Sequence, residues 1–132
     1  MIETAQKIRL LIVDDDVDIC DLMCLIAEEA GFDVASANDG RGFRAAFNEH
    51  TPDLVTMDLA MPDCDGLELM RFMDEENYGG DIIVASSHDE KMLKQIRPFG
   101  EMLGLNIRAV LGKPFKSEEY RSLLLPRVDQ VL

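Results

Sequence analysis

At 132 residues the chain has room for one domain and not two, and its 47% hydrophobic and 30% charged content is globular rather than disordered. Acidic residues outnumber basic ones 26 to 13, and the resulting formal charge of −13 repels nucleic-acid phosphates and anionic lipids, which argues against binding either. No apolar run nears the roughly 20 residues that span a bilayer, so a soluble, cytoplasmic protein is expected.

Residues 8–13 (IRLLIV) form a continuous apolar run of strand length, as expected for a strand covered on both faces. The run ends in Asp14, Asp15 and Asp16 rather than in a cleavage site, which argues against a secretory leader. Ile19, Leu22, Met23, Ile26, Ala27 and Ala30 then share one helical face, with Gly31 as the stop. Of Cys20 and Cys24, four apart on that helix, one or both are expected to pack as small apolar residues. With Cys64 they make an odd number without disulfide or zinc spacing. Asp16 and Asp18 suit a solvated first turn, favoured by the helix dipole.

Residues 32–37 read as a second strand, and residues 40–50 as a helix carrying Phe43, Ala46 and Phe47 on one face. His50, at its end, shows no partner in the sequence. Residues 53–58 (DLVTMD) are the third strand, and 66–76 a helix through Leu67, Met70, Phe72 and Met73, broken by Gly79 and Gly80. The methionines at helical spacing are core filling. Residues 81–85 (DIIVA) form the fourth strand. Residues 88–103 look helical, but Pro98 lacks the amide hydrogen that a helix interior needs, so a kink or a split is expected there. His88 is a solvated loop histidine in this reading. Residues 106–111 are the fifth strand, and Ser117 is expected to cap a last helix carrying Tyr120, Leu123, Leu124 and Val128.

Five strands, each followed by a helix, predict an α/β fold with helices on both faces of one parallel sheet, because parallel strands need crossover connections. In such sheets the site lies beyond the carboxyl ends of the strands. Those ends carry Asp14 and Asp15, then Asp58, Ser86 and Lys113. Three carboxylates in one cleft repel each other and raise each other's pKa. A hard divalent cation relieves this, and oxygen ligands with retained water suit Mg²⁺. With the Lys113 ammonium and the Ser86 hydroxyl, the set is equipped to bind a phosphoryl group while one carboxylate acts as nucleophile.

The motifs LIVDD (11–15), MDLAMPDCDGLEL (57–69), VASS (84–87) and GKPF (112–115) occur in order, each at a strand end. Together they make the chain resemble a receiver domain of the two-component response regulators, from about Ile8 to the last helix. The resemblance implies a doubly wound, flavodoxin-like sheet of order 2-1-3-4-5 in a single domain over residues 1–132. It implies Asp58 as phosphoacceptor, Asp15 as a direct Mg²⁺ ligand and Asp14 as one acting through water, with Asp58 and the Ala60 carbonyl completing the protein ligands. Ser86 becomes the switch hydroxyl, Lys113 its cationic partner, and Pro114 a residue after a cis bond. Pro62 and Gly66 shape the loop after Asp58.

The implied donor is a sensor histidine kinase or phosphotransfer protein. The implied chemistry is self-catalysed transfer and slow autodephosphorylation, not turnover of an outside substrate. Phosphorylation would switch the surface of the fourth helix, fifth strand and fifth helix toward a downstream protein or a C-terminal output domain. The chain ends just after the fifth helix, which suits a stand-alone receiver or a piece of a longer protein. The segment GLNIRAVLGKPF (104–115) is similar to receivers joined to cyclic-di-GMP phosphodiesterase domains. Val110 departs from the family, where Tyr or Phe often rotates inward with the switch hydroxyl, and Ser87 replaces a usual alanine.

Three other readings differ in what they require. A haloacid-dehalogenase-type phosphatase uses DxDx[TV], but Asp18 occupies the fifth position and the MPDCDG loop has no role there. An EF-hand needs a glycine and a glutamate where Ile19 and Leu25 stand. A receiver-like interaction module that never uses phosphate would bind metal and remain indifferent to phosphodonors.

Overall fold

The computed structural model describes residues 7–87 and 90–124. His88 and Val128 lie outside the described residues.

The chain alternates strand and helix: β1 (Arg9–Val13), α1 (Val17–Glu29), β2 (Asp33–Ala37), α2 (Gly40–His50) and β3 (Leu54–Met57). A two-residue pair, β4 (Ala60–Met61) and β5 (Cys64–Asp65), precedes α3 (Gly66–Glu75). Then come β6 (Asp81–Ser86), α4 (Glu90–Met102), β7 (Asn106–Gly112) and α5 (Ser117–Leu124). The main sheet is parallel throughout, in the order β2-β1-β3-β6-β7. This is the predicted 2-1-3-4-5 arrangement once the small antiparallel β4–β5 pair is set aside.

Successive side chains of a strand face opposite ways, and the apolar runs use both faces. Leu11, Val13, Val55, Met57, Ile82 and Val84 pack with Phe43, Phe47, Leu69, Met70, Met73 and Ile96 of α2, α3 and α4. Leu10, Ile12, Leu54, Ile83 and Ala85 pack with Cys20, Met23, Ile26, Ala27, Tyr120 and Leu124 of α1 and α5. Each fully buried large aliphatic side chain stabilises the fold by about 1.5–3 kcal/mol. The sheet is thereby fixed between two helical layers.

Four details differ from the sequence reading. The β4–β5 pair was not expected, since two residues per strand carry no alternation to detect. Helix α4 runs unbroken through Pro98, so it is not split there. Its buried face explains this: Gly100 lets the helix come so close to β7 that an added Cβ would lie 2.6 Å from Ile107 Cγ1. Packing of that kind outweighs the missing hydrogen bond. Ser117 is the first residue of α5 and not its cap; the Glu119 carboxylate instead reaches back to accept from the Lys116 amide at 2.7 Å. His50 has a partner after all, its Nε2 lying 3.2 Å from Asp33 O.

The pairing of β6 with β7 contains one irregularity. Ile82 is opposite Ile107 but Ile83 is opposite Ala109, leaving Arg108 as the extra residue. Its guanidinium donates to Asp81 Oδ2 at 2.7 and 3.0 Å and to Leu123 O at 3.1 Å, tying β6 and α5 together.

Candidate functional site

Asp14, Asp58 and Lys113 each sit one step past the end of a strand, still held by the ladder. The Asp14 amide donates to Ala37 O at 3.2 Å, Asp58 to Val13 O at 3.1 Å, and Lys113 to Ser86 O at 3.0 Å. Parallel register therefore carries the three side chains to the same edge. The sequence supplies this by ending each apolar strand in a polar residue, which cannot continue into the core without a partner.

The acidic groups converge as predicted. One carboxylate oxygen from each of Asp14, Asp15 and Asp58 lies within 4.8 Å of the others. Asp14 is fully buried and Asp58 is 5% exposed, whereas Asp15 faces solvent. Lys113 Nζ donates to Asp14 Oδ2 at 2.5 Å and to Asp58 Oδ2 at 3.4 Å. The remaining oxygens are also engaged: Asp14 Oδ1 accepts from the Asp16 amide at 2.9 Å, and Asp58 Oδ1 from the Ala60 amide at 3.2 Å.

Burial pushes the Asp14 pKa up, and this outweighs the Lys113 hydrogen bond and the Asp16 amide, which both favour the charged form. Burial also works against the Lys113 charge, but the Asp14 hydrogen bond and the two aspartate charges more than offset it, and the Lys113 pKa rises. The ammonium is thus firmly charged, while the buried Asp14 carboxylate holds its charge at a cost.

Ser86 is buried at the end of β6, opposite Gly112 of β7. Val110 is half-buried on β7 beside Leu93 and Pro98 of α4. Ala60 is exposed on β4, its amide on Asp58. The Lys113–Pro114 peptide bond is cis. Gly66 must be glycine, because a Cβ there would lie 2.8 Å from Leu59 Cα and 3.2 Å from Asp58 O.

Two residues that sequence reading did not single out also belong to this edge. The Asn38 Nδ2 group donates to Asp14 O at 2.9 Å, and Asp63 Oδ2 accepts from the Gly40 amide at 3.0 Å. Asn38-Asp39-Gly40 reads as a turn before a helix, and nothing in that pattern points to a partner loop. Cys20 is buried as expected and Cys24 half-buried, while Cys64 is also buried.

Comparison with known proteins agrees with this fold. The family described as the response regulator receiver domain matches residues 10–125. The transcriptional regulatory protein TrcR of Mycobacterium tuberculosis is 32% identical over 114 residues, covering 85% of this chain and 42% of that protein. The regulatory protein VanRB of Enterococcus faecalis is 31% identical over 126 residues, covering 96% of this chain and 53% of its own length. The chain thus spans about half the length of the curated relatives it matches. Among solved structures, a response regulator from Colwellia psychrerythraea superposes with a TM-score of 0.80 at 28% identity, covering 95% of this chain and 99% of that one. The chemotaxis response regulator CheY4 of Vibrio cholerae gives 0.75 at 26% identity, covering 96% and 100%.

Proposed function

The chain belongs to the response regulator receiver domain family, and on that premise we propose that Asp58 accepts a phosphoryl group from the phosphohistidine of a sensor kinase or phosphotransfer protein. One observation carries this reading. The Asp58 carboxylate, almost wholly out of water, lies beside an ammonium and two further carboxylates at the open end of the sheet.

Three carboxylate oxygens so close together fit a small, hard divalent cation, and Asp14, Asp15 and Asp58, with the Ala60 carbonyl, are the proposed Mg²⁺ ligands. When bound, the ion would neutralise charge on the phosphoryl oxygens. The rest of the chemistry belongs to side chains. An Asp58 oxygen attacks phosphorus, the phosphorus–nitrogen bond to the donor histidine breaks, and the bonding pair leaves with that nitrogen. Lys113 supplies fixed positive charge beside Asp58, and Asp14 holds the ammonium in place. The Ser86 hydroxyl is the proposed donor to the transferred group.

Phosphorylation adds about 1.5–2 negative charges at this edge. That charge draws Lys113 and Ser86 inward and biases the face of α4, β7 and α5 between two states. The reader of that face is a downstream protein or a C-terminal output domain, and the setting is cytoplasmic. No helix among the described residues is long and apolar enough to cross a membrane.

The test is mass spectrometry after incubation with an acyl phosphate donor and Mg²⁺. The parent should gain one phosphoryl group and Asp58→Asn none, with the fold of the variant intact by circular dichroism. Equal labelling of both defeats the assignment, and metal binding without any labelling indicates a phosphate-independent module instead.

A further inference from the structure

The turn between β2 and α2 contacts both loops that carry the acidic residues. On one side of that turn, Asn38 Nδ2 donates to the carbonyl of Asp14 at 2.9 Å. On the other side, the Gly40 amide donates to Asp63 Oδ2 at 3.0 Å, and Asp63 stands between β4 and β5 in the loop that follows Asp58. Cys64 packs flat on Gly40, where a Cβ would lie 2.8 Å from Cys64 Cβ, so the loop is seated there as closely as a glycine permits. The same turn is rigid in itself: Asp39 caps α2 by accepting from the Gly42 amide at 2.7 Å.

We propose that turn 38–40 is a brace holding the Asp14–Asp15 loop and the 58–65 loop at cation-binding separation, with Asn38 and Asp63 as its positioning residues. The physical need is plain. Metal-free, three carboxylates within 4.8 Å repel, and Lys113 neutralises only part of that charge. The ladder fixes Asp14 and Asp58 at their bases, and the loops beyond them need a further restraint against that repulsion. The brace supplies it through one side-chain hydrogen bond at each end, and it touches no ligand oxygen. Its two ends act in series, so losing either releases the same restraint. Asp63 also places its carboxylate on the N-terminal amide of α2, where the helix dipole favours it.

This inference rests on the metal reading proposed above. Mg²⁺ affinity by isothermal titration calorimetry tests it, in the parent, Asp63→Ala, Asp63→Asn, Asn38→Ala and the Asn38→Ala/Asp63→Ala double variant. Each alanine variant should bind Mg²⁺ about tenfold more weakly, the low end for residues that support ligands indirectly. Asp63→Asn should bind like the parent, because an amide oxygen still accepts from Gly40 although the charge is gone. The double variant should be no weaker than the weaker single, as a series arrangement requires. Amide exchange at Gly40, measured without metal, should speed up in Asp63→Ala and stay slow in Asp63→Asn.

Parent-like affinity in Asp63→Ala overturns the brace. So does an Asp63→Asn as weak as alanine, which would make Asp63 an electrostatic contributor only. Multiplying losses in the double variant would show two independent effects and not one. A parent that binds no Mg²⁺, or whose binding survives Asp15→Asn, sinks the metal reading itself.

Discussion

The Lys113 ammonium lies 2.5 Å from Asp14 Oδ2 and 3.4 Å from Asp58 Oδ2, so its closer partner is the carboxylate that is not proposed to react. The lysine side chain is 11% exposed and that of Asp14 is fully buried, which makes this a buried pair rather than a surface one.

Removing one member of such a pair leaves a buried charge uncompensated. Lys113→Ala should lower the stability of the metal-free protein by about 3–5 kcal/mol in urea unfolding. Saturating Mg²⁺ should restore part of the loss, since it brings positive charge to the same carboxylates, and Mg²⁺ binding itself should persist. The response to a beryllofluoride phosphoryl mimic, followed as amide exchange in α4 and β7, should be weakened. An undiminished response counts against Lys113 as the switching partner.

The raised pKa of Asp14 sets a pH dependence. Its protonated form is favoured in the folded, metal-free protein, so its charge opposes folding, and this cost appears as pH rises through the folded pKa. Lys113, also raised, contributes stability that is present below its unfolded pKa of about 10.4 and lost as pH rises through the folded value. Because Asp14 is a proposed ligand, Mg²⁺ affinity should begin to fall on acidification above the pH at which an ordinary aspartate would protonate. Calorimetric titrations across the acidic range check this. Asp14→Asn should bind more weakly at neutral pH with a flatter profile.

The hydroxyls of Thr56 and Tyr120 lie 2.8 Å apart, both fully buried, and they pin α5 to the middle of the sheet. Burial pushes the phenol pKa well up, so the pair stays neutral through the ordinary range. Tyr120→Phe should cost about 1–3 kcal/mol, because it strands the Thr56 hydroxyl without a partner. Adding Thr56→Val should recover most of that loss in denaturant titrations. Additive losses would show that the two hydroxyls do not depend on each other.

The three cysteines should react unequally with iodoacetamide. Interaction with Cys20, helped by Ser36, brings the Cys24 thiol down to about 7, while the same interaction and burial push Cys20 up. Burial and the neighbouring Glu68 carboxylate push Cys64 up to about 11. Peptide mapping near neutral pH should find Cys24 alkylated first. Equal rates at Cys24 and Cys64 would contradict this order.

Much of the fold was readable because apolar period and strand length are local signals. Gly40–His50 was bounded to the residue, since its aromatic stripe and its glycine and histidine ends all coincide. The β4–β5 pair was not, because two residues on each side give no period. Pro98 misled for the opposite reason: its local penalty is real, but α4 is held by its packing on β7. At the site, residue types at strand ends announced Asp14, Asp15, Asp58, Ser86 and Lys113. Asn38 and Asp63 gave no such signal, because an asparagine in a turn and an aspartate in a loop need no further explanation.

By itself, the sequence determined which side chains share the open edge of the sheet. Apolar runs that end in polar residues, joined by crossover helices, bring every such end to one side whatever the loops do. Only the tertiary structure decided how those groups pair there. Lys113 finds Asp14 across 99 positions, Thr56 finds Tyr120 across 64, and Gly40 finds Asp63 across 23. Contacts at such separations depend on how the layers pack, and no periodicity along the chain encodes them.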